Sequence, residues 1–200
     1  MIQNIVFDLG RVLVDFDPES YLRSFGYDDA LVRTLMQTVF GAEWPKYDCG
    51  DYGSVGELRD ALCRKYPQYD AVFRQVLQPD WVRIHTLKRE TAEYLLALKQ
   101  RGYRIFLLSN LARESYDYIS QFDFFGAIDG GVFSYREHVC KPEAAIYRTL
   151  LSRYGLRAEE TVFLDDAPQN VKAAQRLGIH GIVFETLPAA KEQLERLLQQ

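Results

Sequence analysis

The sequence predicts an α/β protein whose core is a doubly wound, Rossmann-like parallel sheet, with a helical cap inserted after the first strand. From residue 85 onwards, short apolar runs alternate with helical patterns, which is typical of a parallel sheet covered by helices. The first apolar run, at residues 2–7, lies almost a hundred residues before the next, and the chain between them has helical periodicity. We therefore expect residues 1–17 and 85–200 to form the core and residues 18–84 to form the cap.

The cap segment is predicted to contain four helices. Two cover residues 18–25 and 29–40, a third begins after Ser54, and the fourth covers residues 69–77. Ser54 is the expected N-cap of the third helix, and Glu57 completes the pattern of a capping box, in which each side chain binds the other residue's backbone N–H. The aromatic-rich segment 41–53 is expected to be a loop.

The remaining core elements follow the same alternation to the end of the chain. The predicted strands cover residues 104–108, 131–133, 161–164 and 181–184. The predicted helices cover residues 90–101, 112–122, 143–154, 169–177 and 189–198. Gly102 and Gly178 directly follow two of these helices, where glycine commonly ends a helix.

Composition excludes several classes of protein. The chain has 200 residues, 48% of them hydrophobic, and a net charge of −4, so it can bury a full core but lacks the basic surface of a nucleic-acid-binding protein. No apolar stretch approaches the ~18 residues of a membrane span. Cys49, Cys63 and Cys140 are odd in number and widely spaced, so we expect free thiols in a reducing compartment. Together with the absence of a leader-like start, these features predict a cytoplasmic protein. The sequence has no long heptad array, so we expect a monomer.

Polar residues follow three of the predicted strands. Asp8 follows the first, Ser109 the second, and the pair Asp165 and Asp166 comes at the end of a later one, while Lys141 precedes a predicted helix. The carboxyl ends of parallel strands meet at one edge of the sheet, where ligands bind. A carboxylate, a hydroxyl, a lysine and an acidic pair are the groups that phosphoryl transfer through an aspartate and a magnesium ion requires.

Four motifs place these residues in a recognisable order: FDLGRVLVD, LLSN, CKPEAAIY and VFLDDAPQN. Together they resemble the four motifs of the haloacid dehalogenase (HAD) superfamily over nearly the whole chain. The position of the insert is similar to that of a helical C1 cap. The combination is most similar to the branch that holds bacterial sugar-phosphate phosphatases, including α-glucose-1-phosphate phosphatase, and the N-terminal phosphatase domain of soluble epoxide hydrolase.

The resemblance implies a Mg2+-dependent phosphatase. Asp8 would attack phosphorus and form an aspartyl-phosphate. Asp8, the backbone carbonyl of Gly10 and Asp166 would hold Mg2+, with Asp165 beside them. The substrate would be a small phosphorylated metabolite, with sugar phosphates, and sugar 1-phosphates in particular, favoured.

The remaining implied roles concern the phosphate and the cap. Ser109 and the backbone N–H of Asn110 would bind phosphate oxygens, and Lys141 would supply a positive charge to the phosphate and to Asp8. Asn170 matches a position that orients Lys141 or Asp166. Trp44 and Tyr47 are possible cap contacts to substrate, although aromatic side chains also serve ordinary packing.

The sequence departs from the family pattern at Gly10. Most family phosphatases have an aspartate there, which protonates the leaving oxygen, and a general acid is worth about 10²–10⁴-fold in rate. The substrate could carry an easy leaving group, another acid could substitute (Asp15, Asp17 or a group from the cap), or activity could be weak.

Two other functions remain open. A metal-independent 2-haloacid dehalogenase would also lack the second aspartate, but Asp165 and Asp166 beside Asp8 would repel one another without a cation. A non-catalytic phospho-ligand or signalling domain would have its acidic pair after the first strand, whereas here the pair comes late and Lys141 precedes it.

Overall fold

A five-stranded parallel sheet forms the centre of the structure, a computed structural model that describes residues 1–199. The strands of the chain are β1 (Asn4–Phe7), β2 (Val14–Phe16), β3 (His85–Leu87), β4 (Arg104–Ser109), β5 (Gly130–Phe133), β6 (Thr161–Asp165) and β7 (His180–Val183). The sheet has the order β5-β4-β1-β6-β7, and all its strand pairs are parallel. This arrangement confirms the predicted fold class.

Helices cover both faces of the sheet and form a separate layer near its carboxyl edge. They are α1 (Pro18–Arg23), α2 (Asp29–Leu35), α3 (Trp44–Asp48), α4 (Val55–Lys65), α5 (Asp70–Val76), α6 (Arg89–Gln100), α7 (Arg113–Ile119), α8 (Ser134–Glu137), α9 (Ala144–Tyr154), α10 (Pro168–Gln175) and α11 (Leu187–Leu198). Among the helices of residues 1–199, none combines the length and apolarity needed to cross a bilayer.

The central strands are apolar on both faces because each face is covered. Successive side chains of a strand point to opposite sides. Phe7 of β1 therefore joins a cluster with residues of α6 and α11, while the adjacent Val6 joins a second cluster with residues of α9 and α10. This two-sided burial explains why these strands read as continuous apolar runs in the sequence.

A two-stranded antiparallel ribbon connects the sheet to the helical layer. Strands β2 and β3 pair with Val14 opposite Leu87 and Phe16 opposite His85. All of α1 to α5 lies between these two strands in the sequence. The layer has its own apolar cluster, in which Trp44, Tyr47 and Trp81 are packed together.

The expectation of a loop at residues 41–53 is wrong over its first part. A π-helix covers Met36–Glu43 as a continuation of α2, and α3 follows it directly. Pro45 stands in the first turn of α3, where its missing N–H costs no hydrogen bond. The apolar side chains of Val39, Trp44 and Tyr47 are buried by this arrangement, which gives the segment its reason to be helical.

The start of α4 differs in detail from the expected capping box. The N–H of Glu57 donates to the hydroxyl oxygen of Ser54 at 3.2 Å, so Ser54 is the N-cap as predicted. The carboxylate of Glu57 accepts from the N–H of Gly53 at 2.8 Å, one residue before the expected partner. The reciprocal half of the box is therefore displaced by one residue.

The expectation of three free thiols is wrong for two of the cysteines. Cys49 and Cys140 form a disulfide, and Cys63 is free and buried. The disulfide joins the chain directly after α3 to the residue before Lys141. The two cysteines are 91 residues apart in sequence, so their spacing carried no sign of the pairing.

Candidate active site

The polar residues that follow the strands meet at one edge of the sheet. Asp8 comes directly after β1, Ser109 ends β4 and Asp165 ends β6, and these strands are adjacent in the sheet. The N–H of Asp8 donates to the carbonyl of Leu164 at 2.9 Å, which fixes the start of its loop against β6. The topology therefore brings together the side chains that the sequence predicted to be neighbours.

Lys141 lies at the centre of this group. Its Nζ is 2.8 Å from Oδ1 of Asp8, 2.7 Å from Oδ2 of Asp165, and 3.0 Å from the carbonyl oxygen of Leu108. Burial opposes the charged ammonium, but the two carboxylates outweigh it and raise the pKa of Lys141. The lysine is therefore a buried cation held between two carboxylates.

Asp8 retains an oxygen for chemistry. Its Oδ1 accepts the N–H of Leu9 at 2.7 Å as well as the Lys141 contact. Burial raises the pKa of the Asp8 carboxyl to about 6, although Lys141 acts in the opposite direction. The side chain of Ser109, which is also buried, acts with Lys141 to lower that pKa.

Asp165 is an internal acceptor. It is fully buried and accepts from Nδ2 of Asn170 at 3.0 Å and from the N–H of Ala167 at 2.8 Å, in addition to Lys141. The expected partners of Asn170 were Lys141 or Asp166, and its side chain instead binds Asp165. The carboxylate oxygens of Asp165 are already occupied by these hydrogen bonds. The less buried Asp166 is therefore the carboxylate of the pair that is freer to bind a cation.

Asp8, Asp165 and Asp166 form a cluster that could hold a cation. Each offers a carboxylate oxygen, and these oxygens lie within 4.8 Å of one another. Burial and the neighbouring Asp165 raise the pKa of Asp166, while Arg11, 3.6 Å away, acts against them. Carboxylate oxygens around a site of this kind suit a hard divalent cation such as Mg2+.

Asn110 connects the second motif to the lysine loop. Its Nδ2 donates to the carbonyl of Lys141 at 2.9 Å, and its Oδ1 accepts the N–H of Lys141 at 2.8 Å. The Asn110 side chain thus holds the backbone that carries Lys141. This contact was not predicted, because the resemblance assigned Asn110 a role through its backbone N–H.

The two aromatic residues that were suggested as cap contacts lie in different surroundings. Trp44 lines a small cavity of about 70 Å³ beside Gly10, together with Phe16 and Leu111. Tyr47 is buried in the helical layer, and its hydroxyl has no hydrogen-bond partner among the described residues. The position of Trp44 is compatible with a substrate contact, whereas the burial of Tyr47 indicates packing.

Asp48 is a residue at this site that sequence reasoning missed. It ends α3 and lines the cavity beside Gly10. Burial raises the pKa of its carboxyl well above the usual value, and the backbone N–H of Ala112 acts against it. The residue lies within a segment expected to be a loop, forty residues after Asp8 in the sequence, so only the packing of α3 reveals it.

The fold and this edge of the sheet define a class of protein: a doubly wound parallel α/β protein with an aspartate, a lysine and an acidic pair at the carboxyl edge of its sheet. A family model described as haloacid dehalogenase-like hydrolase matches residues 2–178. The chain therefore belongs to the haloacid dehalogenase-like hydrolases.

Two relatives are similar in sequence to this chain over most of its length. It is 25% identical to the sesquiterpene phosphatase astK of Aspergillus oryzae over 96% of this chain and 95% of that protein. It is 27% identical to the drimenol cyclase drtB of Aspergillus calidoustus over 98% of this chain, but spans 37% of that longer protein.

Solved structures share the fold. A HAD-like hydrolase structure from Porphyromonas gingivalis is 28% identical, with a TM-score of 0.75 over 100% of this chain and 99% of that one. A HAD-family enzyme, BT-2542 from Bacteroides thetaiotaomicron, in complex with magnesium and inorganic phosphate, is 21% identical with a TM-score of 0.70 over 94% and 98%.

Proposed function

We propose that this hydrolase is a Mg2+-dependent phosphatase that cleaves small phosphate monoesters through an aspartyl-phosphate. The observation that supports it best is the buried contact of Lys141 with both Asp8 and Asp165, with Asp166 beside them. This arrangement holds a nucleophilic carboxylate and a fixed positive charge at the edge of the sheet where ligands bind.

The donor set fits Mg2+. Asp8, Asp166 and the backbone carbonyl of Gly10 would hold the ion, which keeps several waters and binds substrate phosphate when few protein ligands are present. Bound there, Mg2+ would neutralise charge on the phosphate. The magnesium and phosphate in the complex of BT-2542 agree with this donor chemistry.

The chain's own residues would perform the remaining work. Asp8 attacks phosphorus, and Lys141 keeps it oriented and ionised for that attack. The Ser109 hydroxyl and the N–H of Asn110 bind phosphate oxygens, and the Asn110 side chain keeps Lys141 in place. Asp165 and Asn170 hold the lysine from the opposite side.

The acidic cluster favours this function over a metal-independent dehalogenase. Three carboxylates with oxygens within 4.8 Å of one another repel each other unless cations lie among them, and Lys141 neutralises only part of that charge. Asp166 in particular has Arg11 at 3.6 Å as its cationic neighbour, a partner that is largely exposed.

We propose sugar phosphates, and sugar 1-phosphates first, as the substrate class, because an anomeric oxygen leaves more readily than a simple alkoxide. A phosphate ester of an apolar alcohol is a second candidate. The cavity beside Gly10 is lined mainly by apolar side chains, including Phe16, Trp44 and Leu111, and a relative that matches over nearly its full length is named a sesquiterpene phosphatase.

We further propose that the layer of α1 to α5 acts as the cap. The cytoplasmic location and the monomeric state stay predictions.

Phosphate release from a panel of esters tests the proposal. The panel contains sugar 1- and 6-phosphates, a sesquiterpenyl phosphate and p-nitrophenyl phosphate, each assayed with Mg2+ and with EDTA. We expect Mg2+-dependent release that Asp8→Asn abolishes and that Asp60→Asn, on the exposed surface of α4, leaves unchanged. Release that persists in EDTA, or in Asp8→Asn, would contradict the mechanism, and the ranking of esters would decide between the two substrate classes.

A further inference from the structure

Gly10 stands at open space beside the reacting group. A Cβ atom added at Gly10 would meet nothing within 4 Å, and the residue has a backbone conformation open to other amino acids. The small cavity of about 70 Å³ reaches this point and is lined by Leu9, Gly10, Trp44 and Asp48. The position two residues after the nucleophile thus carries no acidic group, but the acidic residue Asp48 lines the same space.

The acids that follow Asp8 in the sequence do not reach this space. Asp15 is exposed and lies 3.5 Å from Nζ of Lys88. Asp17 caps α1, where its carboxylate accepts the N–H of Ser20 at 3.0 Å. Both side chains thus have partners, at the β2–β3 ribbon and at the start of α1, and neither residue lines the cavity.

His85 is the other titratable side chain of the cavity, and it is a poor proton donor. Its Nε2 is 3.0 Å from Oγ of Ser115, and its ring stacks on Phe16. Burial lowers the pKa of His85 to about 4, so the ring is neutral near pH 7. Asp48 remains as the acidic group that faces Gly10.

Asp48 is held in place through its backbone. Its carbonyl oxygen accepts the hydroxyl of Ser134, while the backbone N–H of Ala112, which follows the second motif, acts against burial on the pKa of its carboxyl. The next residue, Cys49, is joined to Cys140. The cavity thus presents a fixed carboxyl whose pKa is raised by burial, as a proton donor at neutral pH requires.

We propose that Asp48, from the helical layer, is the catalytic proton donor and acceptor that replaces the aspartate missing at Gly10. This assignment rests on the proposed phosphatase function and supplies the general acid that the chain lacks at Gly10. The acid comes from the layer that covers the site, so proton transfer is available only when that layer is packed on the sheet.

In this role Asp48 gives up its proton in the first chemical step and recovers one in the second. As an Asp8 oxygen bonds to phosphorus, the bond from phosphorus to the leaving oxygen breaks, and that oxygen takes the proton of Asp48 to leave as an alcohol. Asp48 is then a carboxylate. It accepts a proton from the water that attacks the aspartyl-phosphate, the bond from Asp8 to phosphorus breaks, and the products are inorganic phosphate, ionised Asp8 and protonated Asp48.

The experiment compares leaving groups that need a proton with one that does not. Asp48→Asn keeps the shape of the side chain without its acidic proton, and Asp48→Ser is a second variant. Asp51→Asn, an exposed aspartate three residues along, is the matched control. Folding of each variant is checked by thermal unfolding, and phosphoenzyme is measured by mass spectrometry after rapid quench.

We expect Asp48→Asn to slow alkyl phosphate turnover by about 10²–10⁴-fold, the usual value of a general acid. Formation of phosphoenzyme from p-nitrophenyl phosphate should change less than about tenfold, because nitrophenolate leaves without a proton. Phosphoenzyme should then accumulate, because its hydrolysis loses the proton acceptor. Asp51→Asn should behave as wild type, and adding Gly10→Asp to Asp48→Asn should restore alkyl turnover at least tenfold.

The outcomes separate this assignment from the proposed function. No Mg2+-dependent release from any ester by the wild-type protein would overturn both. An active wild-type protein in which Asp48→Asn and Asp48→Ser slow phosphoenzyme formation equally from alkyl and aryl esters, or slow neither, would overturn the role of Asp48 alone. Failure of Gly10→Asp to improve the Asp48→Asn protein would also contradict it.

Discussion

At the scale of single residues, Lys141 is the side chain on which the site depends. Its side chain is 1% exposed, and its ammonium contacts two carboxylates and a backbone carbonyl. Removing one member of a buried ionic group is costly because the remaining charges lose their partner. Lys141 therefore contributes both to the stability of the fold and to the ionisation of Asp8.

We expect Lys141→Met to lower the free energy of unfolding by about 3 kcal/mol or more at pH 7, since it leaves Asp8 and Asp165 buried without their cation. Mg2+-dependent phosphate release should fall at least ~100-fold. Urea unfolding and steady-state assays measure the two effects. Lys172→Met, at an exposed position of α10, is the control, and equal behaviour of the two variants would contradict the role of Lys141.

The sequence predicted most of the residues at the site because each follows a strand. Asp8, Ser109 and Asp165 are each placed by the end of an apolar run, and parallel strands bring such ends together. Asp48 and the disulfide partner Cys49 could not be found in this way. Their positions depend on how the helical layer packs against the sheet, which no local pattern in the sequence expresses.

At the scale of elements, the five strands of the sheet were predicted within two residues at either end because burial on both faces makes them continuous apolar runs. Strands β2 and β3 were not predicted because each has three residues and an exposed or partly exposed side chain in it. The helix predicted at residues 29–40 continues as a π-helix to Glu43, and this end and α3 were missed because the π-helical register departs from the spacing on which the prediction relied.

The edge strand β5 depends on a close contact with α9. The hydroxyl of Tyr154 accepts the N–H of Gly131 at 2.9 Å and donates to its carbonyl at 3.0 Å. A Cβ atom at Gly130 would lie 2.3 Å from the ring of Tyr154. The glycine therefore allows α9 to pack directly on the strand.

We expect Gly130→Ala to lower the free energy of unfolding by about 1–3 kcal/mol, because the ring must move and its contacts with Gly131 are disturbed. Gly126→Ala is the matched control, since a Cβ atom there meets nothing within 4 Å. Denaturant unfolding of both variants checks the difference. Equal stability of the two would show that α9 adjusts at no cost.

At the scale of the whole molecule, an ion bound at the acidic cluster should stabilise the folded protein. The three carboxylates come together through the fold, so the unfolded chain lacks the site. A ligand that binds only the folded state, at about 100 times its Kd, adds ~2.7 kcal/mol.

For a chain of this size we expect saturating Mg2+ to raise Tm by roughly 5–10 °C. Asp166→Asn should remove most of this rise by taking away the freest of the three carboxylates. Differential scanning fluorimetry with Mg2+ or EDTA measures it, and Asp60→Asn should keep the full shift. An undiminished shift in Asp166→Asn would place the ion elsewhere.

The ribbon of β2 and β3 has a consequence for the order in which the chain folds. Strand β1 pairs with β4 through partners such as Asn4 and Arg104, so the sheet cannot close until a long intervening segment is brought back on itself. Closing a longer loop costs more chain entropy. Because Val14 already lies opposite Leu87 once the ribbon forms, the segment that remains to be closed is short. If the intervening helices fold first and bring Val14 to Leu87, the loop that remains to be closed before β1 pairs with β4 is short, and its entropic cost is smaller.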